Sequence, residues 1–589
     1  MALPPPPASR VPPSPEGSDQ TVYAIERLGG LGDVIMALSA VAALRALDAH
    51  AIILFHTEPR YAELVTHSPH VDRVFTSGTE FNVAIQEYTR KNHFVSQHRL
   101  NGIAYGINKL HQVDAFLEAL GLHAFPEHKS AVVAWPSKVM AQSRTKIQAA
   151  LAGRPGRRII LHPANGDRNR KWSAAHWNAL ADRIIQSGDT PVLTGDDSAV
   201  PFKGILKLAP RPQMVDLTNR LSLPDLMALC QACDAFVSPD SGPVQVAGLT
   251  DIGIVGIYST VPARCRLPFR HGQFGWRALG LVGDCPKAGC YHLFLKDGPE
   301  QQGLQDAIHQ DLLHPGCQAT NQFMGEYCPN QQDPYCCLEQ VGPDRVWEAC
   351  RRVADLDLAS LAATRGRWQA AMDTRTWAEA IPALEQHLAL FPTADITFRL
   401  ALAQHHAGHH AKALELLMES LAKGPTAEGL NLLGLLTFAW GNHLEAESHF
   451  ASAHRWMAPF APAAANLALL EARTCLKEGR FSEGFSALAE FGRIRGNLTE
   501  PWLSHVLPPG EAELIRGYLV LGVSSGDTAL KAFISAYMEK PTSHEAAFGL
   551  GEALRQKGNQ EEAGKWYRTA LKLAPDFQPA QERLAALEG

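Results

Sequence analysis

The sequence predicts two parallel α/β blocks followed by an all-helical repeat region. Short apolar runs alternate with helical patterns over residues 21–258, and glycine-rich turns follow two of those runs. From residue 358 onward a single spacing of small residues and prolines recurs instead. Alternation of the first kind implies parallel strands covered by helices, and a fixed period of the second kind implies stacked helical units. At 589 residues the chain has room for roughly three or four cores.

The first predicted strand occupies residues 21–25. It runs into Gly29, Gly30 and Gly32, then Asp33, then Val34, Ile35, Leu38, Val41, Ala42 and Leu44 at helical spacing. Glycines in such a turn allow positive φ and close backbone approach. A strand, a glycine turn and a helix in this order bring backbone N–H groups to a helix N-terminus, which suits an anion. A carboxylate at that point is either a cap on the helix or a base beside an anionic substrate. Residues 51–59 predict a second strand and residues 113–122 a helix, which completes a first block at 21–150.

A second block, 151–357, opens on the strand pattern at 157–166. It continues through a helix at 173–188, a strand at 190–195, a helix at 222–233 and a strand at 234–239. The glycine turn at 240–248 and a buried strand at 251–258 follow. If the two blocks face one another across a cleft, a ligand belongs at the carboxyl ends of their strands.

The third block, 358–589, is rich in Ala, Leu and Glu and carries no strand pattern. Gly408, Ala413, Leu417, Ser420 and Pro425 stand at offsets 0, 5, 9, 12 and 17. Gly558, Ala563, Tyr567, Ala570 and Pro575 repeat them, as do Ser524, Ala529, Phe533, Ala536 and Pro541. Ala380, Leu384, His387 and Pro392 fit the last four offsets; Gly441, Ala446, Phe450 and Ala453 fit the first four. Small residues let paired helices approach, the large residue fills the gap, and proline ends the unit. Gly408 and Gly441 lie 33 residues apart, close to the tetratricopeptide period of about 34. The periodicity favours such repeats over an irregular bundle, with degenerate units between Gly479 and Ala529.

Composition excludes several classes. The net charge is −6 without a basic block, so no nucleic-acid footprint is visible. No apolar run approaches the roughly 20 residues of a membrane-spanning helix. Residues 1–20 form a proline-rich stretch with no apolar core, expected to be disordered and unlike a secretory signal. A cytoplasmic protein is expected. Ten of the eleven cysteines lie between Cys230 and Cys350, where a reducing compartment favours thiols or metal ligands over disulfides.

Gly30 and Gly32 invite a dinucleotide reading, but the third glycine of that fingerprint falls on Ile35, and no P-loop is present. Three ordered segments give a better account: RLGGLGDVIMALSAVAALR, LHPANGDRNRKWSAAHWNALADRI and VSPDSGPVQVAG. Together they resemble glycosyltransferase family 9, the heptosyltransferase-like enzymes of bacterial lipopolysaccharide synthesis. In that family an R-x-G-x-[LI]-G-D start, an H-P segment ending in [KR]-x-W and a D-[ST]-G-x-x-H turn mark the same places. The resemblance covers residues 21–353 and implies a GT-B fold of two Rossmann-like domains, acceptor on the first and nucleotide-sugar on the second, with inverting transfer and no obligatory metal.

Displacing a nucleoside diphosphate with an acceptor hydroxyl needs a base for the O–H and positive charge at the leaving group. The resemblance implies that Asp33 is the base. It places Gly30, Gly32, Asn165, Arg168, Arg170, Lys171, Asp240, Ser241, Gly242 and Gln245 around the donor. The bland alternatives are a helix cap at Asp33, a solvated charge cluster at Arg168 to Lys171 and an ordinary capped turn at Asp240. Two departures stand out. Arg170 takes the place of the family's usual lysine, keeping charge and adding a bidentate fork. Gln245 takes the place of its histidine, able to hydrogen-bond but not to carry a proton charge.

Cys230 and Cys233 lie in a helical apolar pattern and are expected as buried small hydrophobes. Cys285, Cys290, Cys328 and Cys336 belong to a cysteine-rich insertion at 283–337, from which thiolates can hold zinc or iron. Some protein-directed heptosyltransferases of the family carry a cysteine-bound iron finger. Metal and unliganded thiols both remain open at this point. The sequence as a whole implies a heptose or hexose transferred from a nucleotide-sugar to a hydroxyl of a protein or lipopolysaccharide-type acceptor, with a protein partner engaged through the repeats. The competing class is a non-enzymatic repeat scaffold with a degenerate glycosyltransferase domain.

Overall fold

A computed structural model describes residues 20–101, 110–122, 124, 126–163, 170–195, 206, 208–284, 336–423, 425–457, 460–498, 500–523 and 526–588. The chain divides into two compact units: Met1–Thr364 with Gln386–Asp395, and Arg365–Glu385 with Ile396–Gly589.

The first unit begins with a four-stranded parallel sheet. Its strands are β1 (Val22–Glu26), β2 (Ile52–His56), β3 (Arg73–Phe75) and β4 (Val95–Arg99), in the order β3–β2–β1–β4. Every residue of β2 is buried, consistent with its unalternated apolar run Ile52–Phe55 before His56. The connecting helices are α1 (Leu31–Leu47), α2 (Pro59–Thr66) and α3 (Gly78–Arg90), with α4 (Gln112–Ala119) and α5 (Ser137–Leu151) beyond β4. Helix α1 is buried at every position from Val34 to Arg45, as a helix apolar all round must be.

A second parallel sheet has six strands in the order β12–β9–β8–β5–β6–β7. These are β5 (Arg158–Leu161), β6 (Thr190–Leu193), β7 (Val215–Asp216), β8 (Ala235–Pro239), β9 (Gly253–Ile257) and β12 (Ala278–Leu281). A small antiparallel pair, β10 (Phe269–Arg270) and β11 (Gln273–Phe274), lies between β9 and β12 in the chain. The helices are α6 (Ala174–Gln186), α7 (Leu223–Ala232), α8 (Gly242–Gly248), α9 (Cys336–Glu339) and α10 (Pro343–Ala354). Trp172 is 1% exposed, crosses Trp177 at 4.9 Å and donates from its indole N–H to the Val341 carbonyl at 2.8 Å. Its role is therefore to anchor the chain that carries Arg170 and Lys171. One apolar cluster joins Ile25, Val34 and Leu38 to Leu229, Phe236 and Val244, so α1 packs against elements of both sheets.

The second unit is all helix among the described residues. Successive pairs follow α11 (Leu358–Asp373) and α12 (Trp377–Leu390): α13 (Ala394–His406) with α14 (His410–Lys423), α15 (Ala427–Ala439) with α16 (His443–Trp456), and α17 (Ala461–Lys477) with α18 (Phe481–Gly496). After the short α19 (Glu500–Leu503) come α20 (Pro509–Val523) with α21 (Gly526–Glu539), α22 (His544–Gln556) with α23 (Gln560–Leu573), and the closing α24 (Gln578–Glu588). Gly408, Gly441, Gly479 and Gly558 sit between the helices of a pair at φ 84°, 81°, 72° and 81°, the left-handed position that ends a helix. At Gly441 and Gly558 the next residue is asparagine, and its side chain caps the second helix through the backbone N–H of Glu445 or Glu562. Arg375 occupies the equivalent position between α11 and α12 at φ 58°.

The predicted offsets acquire a packing reason here. A Cβ added at Gly434 or Gly551 would fall 2.5 or 2.4 Å from the ring of Phe450 or Tyr567, the large residue at offset 9 of the facing helix. Among the described residues no helix is long and apolar enough to cross a membrane.

Candidate active site

The turn after β1 is built by its neighbours. The Leu28 N–H donates to the Asn101 side-chain oxygen at 2.5 Å, and the Gly29 N–H donates to Glu58 at 2.9 Å. Gly29 takes φ 117°, a conformation open to glycine. Gly30 is then the N-cap of α1 and supplies no side-chain cap. Asp33 stands in the first turn of that helix, and its carboxylate turns to two arginines. Arg27 Nη2 lies 2.8 Å from Oδ2, and Arg266 Nη1 lies 3.1 Å from Oδ1. Asp33 is therefore an ion-paired carboxylate at the carboxyl end of β1. Its side chain retains 22% exposure while the two arginine side chains keep 10% and 8%. Each oxygen has further lone-pair capacity, so an incoming hydroxyl can still be accepted.

The second sheet meets this turn directly. A Cβ at Gly32 would lie 3.1 Å from the Gly242 Cα, and one at Gly242 would lie 3.0 Å from the Gly32 nitrogen and Leu31 Cβ. Glycine at both positions lets the starts of α1 and α8 touch, which sets Asp33 beside the turn at 240–242. In that turn Arg170 Nη1 is 3.5 Å from Asp240 Oδ2. The Ser241 hydroxyl pairs with Ser238 at 2.8 Å rather than capping α8. Lys171 is exposed. Asn165 and Arg168 lie outside the described residues.

Gln245 is 5% exposed, and its amide donates to the Arg266 carbonyl at 2.5 Å. The adjacent Leu267 carbonyl accepts from His111 Nε2 at 2.8 Å, while His111 Nδ1 accepts the Val113 N–H at 3.1 Å. Burial pushes His111 down to about 4; a neutral ring with its proton on Nε2 satisfies both bonds. The peptide bearing Arg266 is thus held from α8 on one side and from the start of α4 on the other.

Sequence reasoning missed several groups. Arg27 heads the R-x-G-x-[LI]-G-D segment but was given no role there, and nothing local marks Arg266, whose pairing with Asp33 spans 233 positions. Glu26 holds His56 at 2.8 Å and Asn101 at 2.7 Å at the carboxyl ends of the first sheet. Tyr258, just past β9, is fully buried, and its ring lies over Gly256, where a Cβ would come 3.0 Å from its hydroxyl. Desolvation raises that phenol well above its ordinary value. His162, of the H-P segment, bonds Thr194 at 3.1 Å, and burial lowers it to about 4.

Cys230 is buried as expected, and desolvation pushes its thiol up to about 12; Cys233, just past the end of α7, is half-buried rather than buried, and its thiol too is raised by desolvation. Neither is disulfide-bonded. Cys285, Cys290 and Cys328 lie outside the described residues, as does the side chain of Cys336. Among the described residues no group of three or more His, Cys, Asp or Glu is arranged to hold a metal.

Residues 108–273 match the model of glycosyltransferase family 9 (heptosyltransferase). Residues 366–428 and 523–576 match that of the tetratricopeptide repeat. No curated protein matches the chain. Among solved structures the chain is similar to the glycosyl transferase family 9 protein of Veillonella parvula DSM 2008, at 14% identity over 57% of this chain and 97% of that one, TM-score 0.39. It is similar to ADP-heptose lipopolysaccharide heptosyltransferase II of E. coli at 14% identity, 50% and 99% coverage, TM-score 0.37. The iron-containing dodecameric glycosyltransferase TibC of enterotoxigenic E. coli H10407 follows at 12% identity, 57% and 78% coverage, TM-score 0.37.

Proposed function

We propose that the α/β unit is an inverting glycosyltransferase of the GT-B type, moving a heptose or hexose from a nucleotide-sugar to an acceptor hydroxyl. The observation that carries the reading is Asp33, a partly exposed carboxylate gripped by Arg27 and Arg266 where the two parallel sheets meet, in a chain whose residues 108–273 match the family 9 model. In the reaction the acceptor oxygen attacks the anomeric carbon as the bond to the diphosphate breaks. Asp33 takes the acceptor proton, and the nucleoside diphosphate leaves with the negative charge. Arg170 and Lys171 supply positive charge to that leaving group, and the backbone of the Asp240–Ser241–Gly242 turn faces its oxygens. Glycine at 30 keeps a side chain away from Asp33, since a Cβ there would lie 3.6 Å from Oδ2, and glycine at 32 admits the 240–242 turn.

The acceptor we propose is a polypeptide bound through the tetratricopeptide unit, since stacked helix pairs present extended surfaces to peptides. Covalent linkage of such a surface to the transferase raises the local concentration of acceptor.

Two measurements test the function. Calorimetry against a panel of nucleotide-sugars finds the donor, and transfer is then followed in Asp33→Asn. Loss of a positioned base slows transfer by about 10²- to 10⁴-fold, with donor affinity within a few-fold of the native chain. Equal loss of binding and transfer assigns Asp33 a structural role only. A native chain that binds no nucleotide-sugar points to the scaffold reading instead.

A further inference from the structure

We infer that Gln245 is a positioning residue for the base: it fixes the peptide of Arg266, and through the Arg266 guanidinium it sets the place of the Asp33 carboxylate. The inference rests on the reading of Asp33 as the base. Three contacts carry it. Gln245 donates to the Arg266 carbonyl at 2.5 Å, Arg266 Nη1 meets Asp33 Oδ1 at 3.1 Å, and His111 holds the next carbonyl, that of Leu267, at 2.8 Å.

The geometry explains why a neutral donor suffices at position 245. Its partner is a backbone carbonyl, which accepts a hydrogen bond from an amide as well as from an imidazole N–H. Gln245 is 5% exposed and Arg266 is 7% exposed, so the bond between them is shielded from competing water. Arg266 follows a single turn of 3-10 helix, Ala263–Cys265, and its N–H donates back to the Ala263 carbonyl at 3.0 Å. A short turn of this kind has little stiffness of its own. Two external donors on consecutive carbonyls, Gln245 from α8 and His111 from the start of α4, supply what the turn lacks. The guanidinium they aim is one of the two that hold Asp33; the other, from Arg27, comes from the strand end beside it. Removing the Gln245 donor takes away the hold on the Arg266 carbonyl itself, leaving His111 and the turn to restrain the peptide, and loosens the aim of the Arg266 guanidinium at Asp33. A misplaced reacting group costs rate rather than substrate affinity.

The test uses the full chain and the donor identified by calorimetry. Gln245→Met keeps the volume and removes the donor; Gln245→His restores an N–H able to reach the carbonyl. In Q245M, kcat falls about 10- to 100-fold while the donor KM changes less than threefold, and Q245H recovers most of the rate. Arg266→Ala alone lowers kcat similarly, and adding Q245M to R266A costs less than a further twofold, because both act on one contact. Melting curves of each variant separate misplacement from unfolding, and Q245H carries the comparison if Q245M melts early. Three results overturn the inference: a donor KM that rises with kcat unchanged, which places Gln245 on the donor itself; effects of Q245M and R266A that multiply; or a Q245H enzyme no faster than Q245M. If the native chain transfers no sugar, the proposed function fails instead, and the two failures are told apart by the native rate alone.

Discussion

The two units of this chain rely on arginine and glycine to different degrees, although the helical unit also buries one guanidinium, that of Arg399, over Trp368. In the α/β unit guanidiniums go inside: Arg27, Arg45, Arg266, Arg270 and Arg277 are each under a tenth exposed. Arg45 ties the Ala51 carbonyl and the Asp72 carboxylate together at 2.5 and 2.7 Å, and Arg270 donates to the carbonyls of Thr250, Ile252, Trp276 and Arg277. In the helical unit most charged pairs run along the outside of single helices, as Glu419 with Lys423 does. Glycine differs at the closest contacts, although Gly256 of the α/β unit also lies under a ring, that of Tyr258. Gly32 and Gly242 bring two backbones together beside a carboxylate, whereas Gly434 and Gly551 receive an aromatic ring from the partner helix. Burying charge is costly unless every donor is satisfied. Arg27 and Arg266 hold the Asp33 carboxylate, whereas Arg45, Arg270 and Arg277 hold backbone carbonyls at the amino ends of strands; the repeats rely more on apolar packing and local helix.

The largest effect that sharpens the contrast is expected at Arg270. Burial lowers its guanidinium to about 9, so it stays charged at neutral pH. Truncation to alanine removes four charge-assisted bonds and empties a buried site, a loss of about 3–5 kcal/mol. Lysine does not rescue it, since a single ammonium cannot span four carbonyls. Urea unfolding followed by fluorescence of the buried tryptophans measures this. A change below about 1 kcal/mol would show that the buried arginines are incidental to the stability of the α/β unit.

A middle effect is expected where glycine admits a ring. Gly434→Ala and Gly551→Ala each place a methyl group within 2.6 Å of Phe450 or Tyr567, and overpacking of this kind costs about 1–3 kcal/mol. The gain in helix propensity from glycine to alanine, about 1 kcal/mol, works against it. If both variants melt higher than the native protein, the rings have room and the offset-9 explanation of the repeat fails. Helical signal at 222 nm reports the change.

These positions also show what was legible in the sequence. The α/β and helical regions were visible because their burial patterns are periodic: β2, β8 and β9 are wholly buried runs, and the repeat offsets recur. Strands β3 and β4, RVF and VSQHR, escaped because they flank the sheet and carry polar residues with no apolar run. The apolar positions of helix α1 were read at helical spacing, but that elements of both sheets cover it is a fact no local pattern encodes. At the site Asp33, Arg170 and Asp240 stood in recognisable segments, and the structure brings Arg170 to Asp240. Arg266 did not, because its significance arises only when a turn over 200 residues downstream reaches the first helix. The bond of Gln245 to a carbonyl was equally hidden: sequence shows which side chain is present, not which backbone group it will meet.

The smallest effect is expected at the exposed ion pairs of the helical unit. Lys423 Nζ lies 2.7 Å from Glu419 Oε1 one turn earlier on α14, and the side chains are 44% and 55% exposed. The order is the favourable one, with the acid toward the N-terminus and the base in the last turn, where it also meets the carbonyl end of the helix dipole. Exposed pairs of this geometry contribute about 0.3–0.5 kcal/mol because water and salt screen them and two flexible chains must be ordered. Lys423→Gln should therefore lower stability by no more than about 0.5 kcal/mol, and the difference should vanish in 1 M sodium chloride, where the screening length is about 3 Å. Arg45→Gln, which breaks the buried pair with Asp72, should keep its larger deficit at the same salt concentration, since its partner is 9% exposed and ions do not reach it. Equal salt sensitivity in the two variants would mean that charge is handled alike in both units.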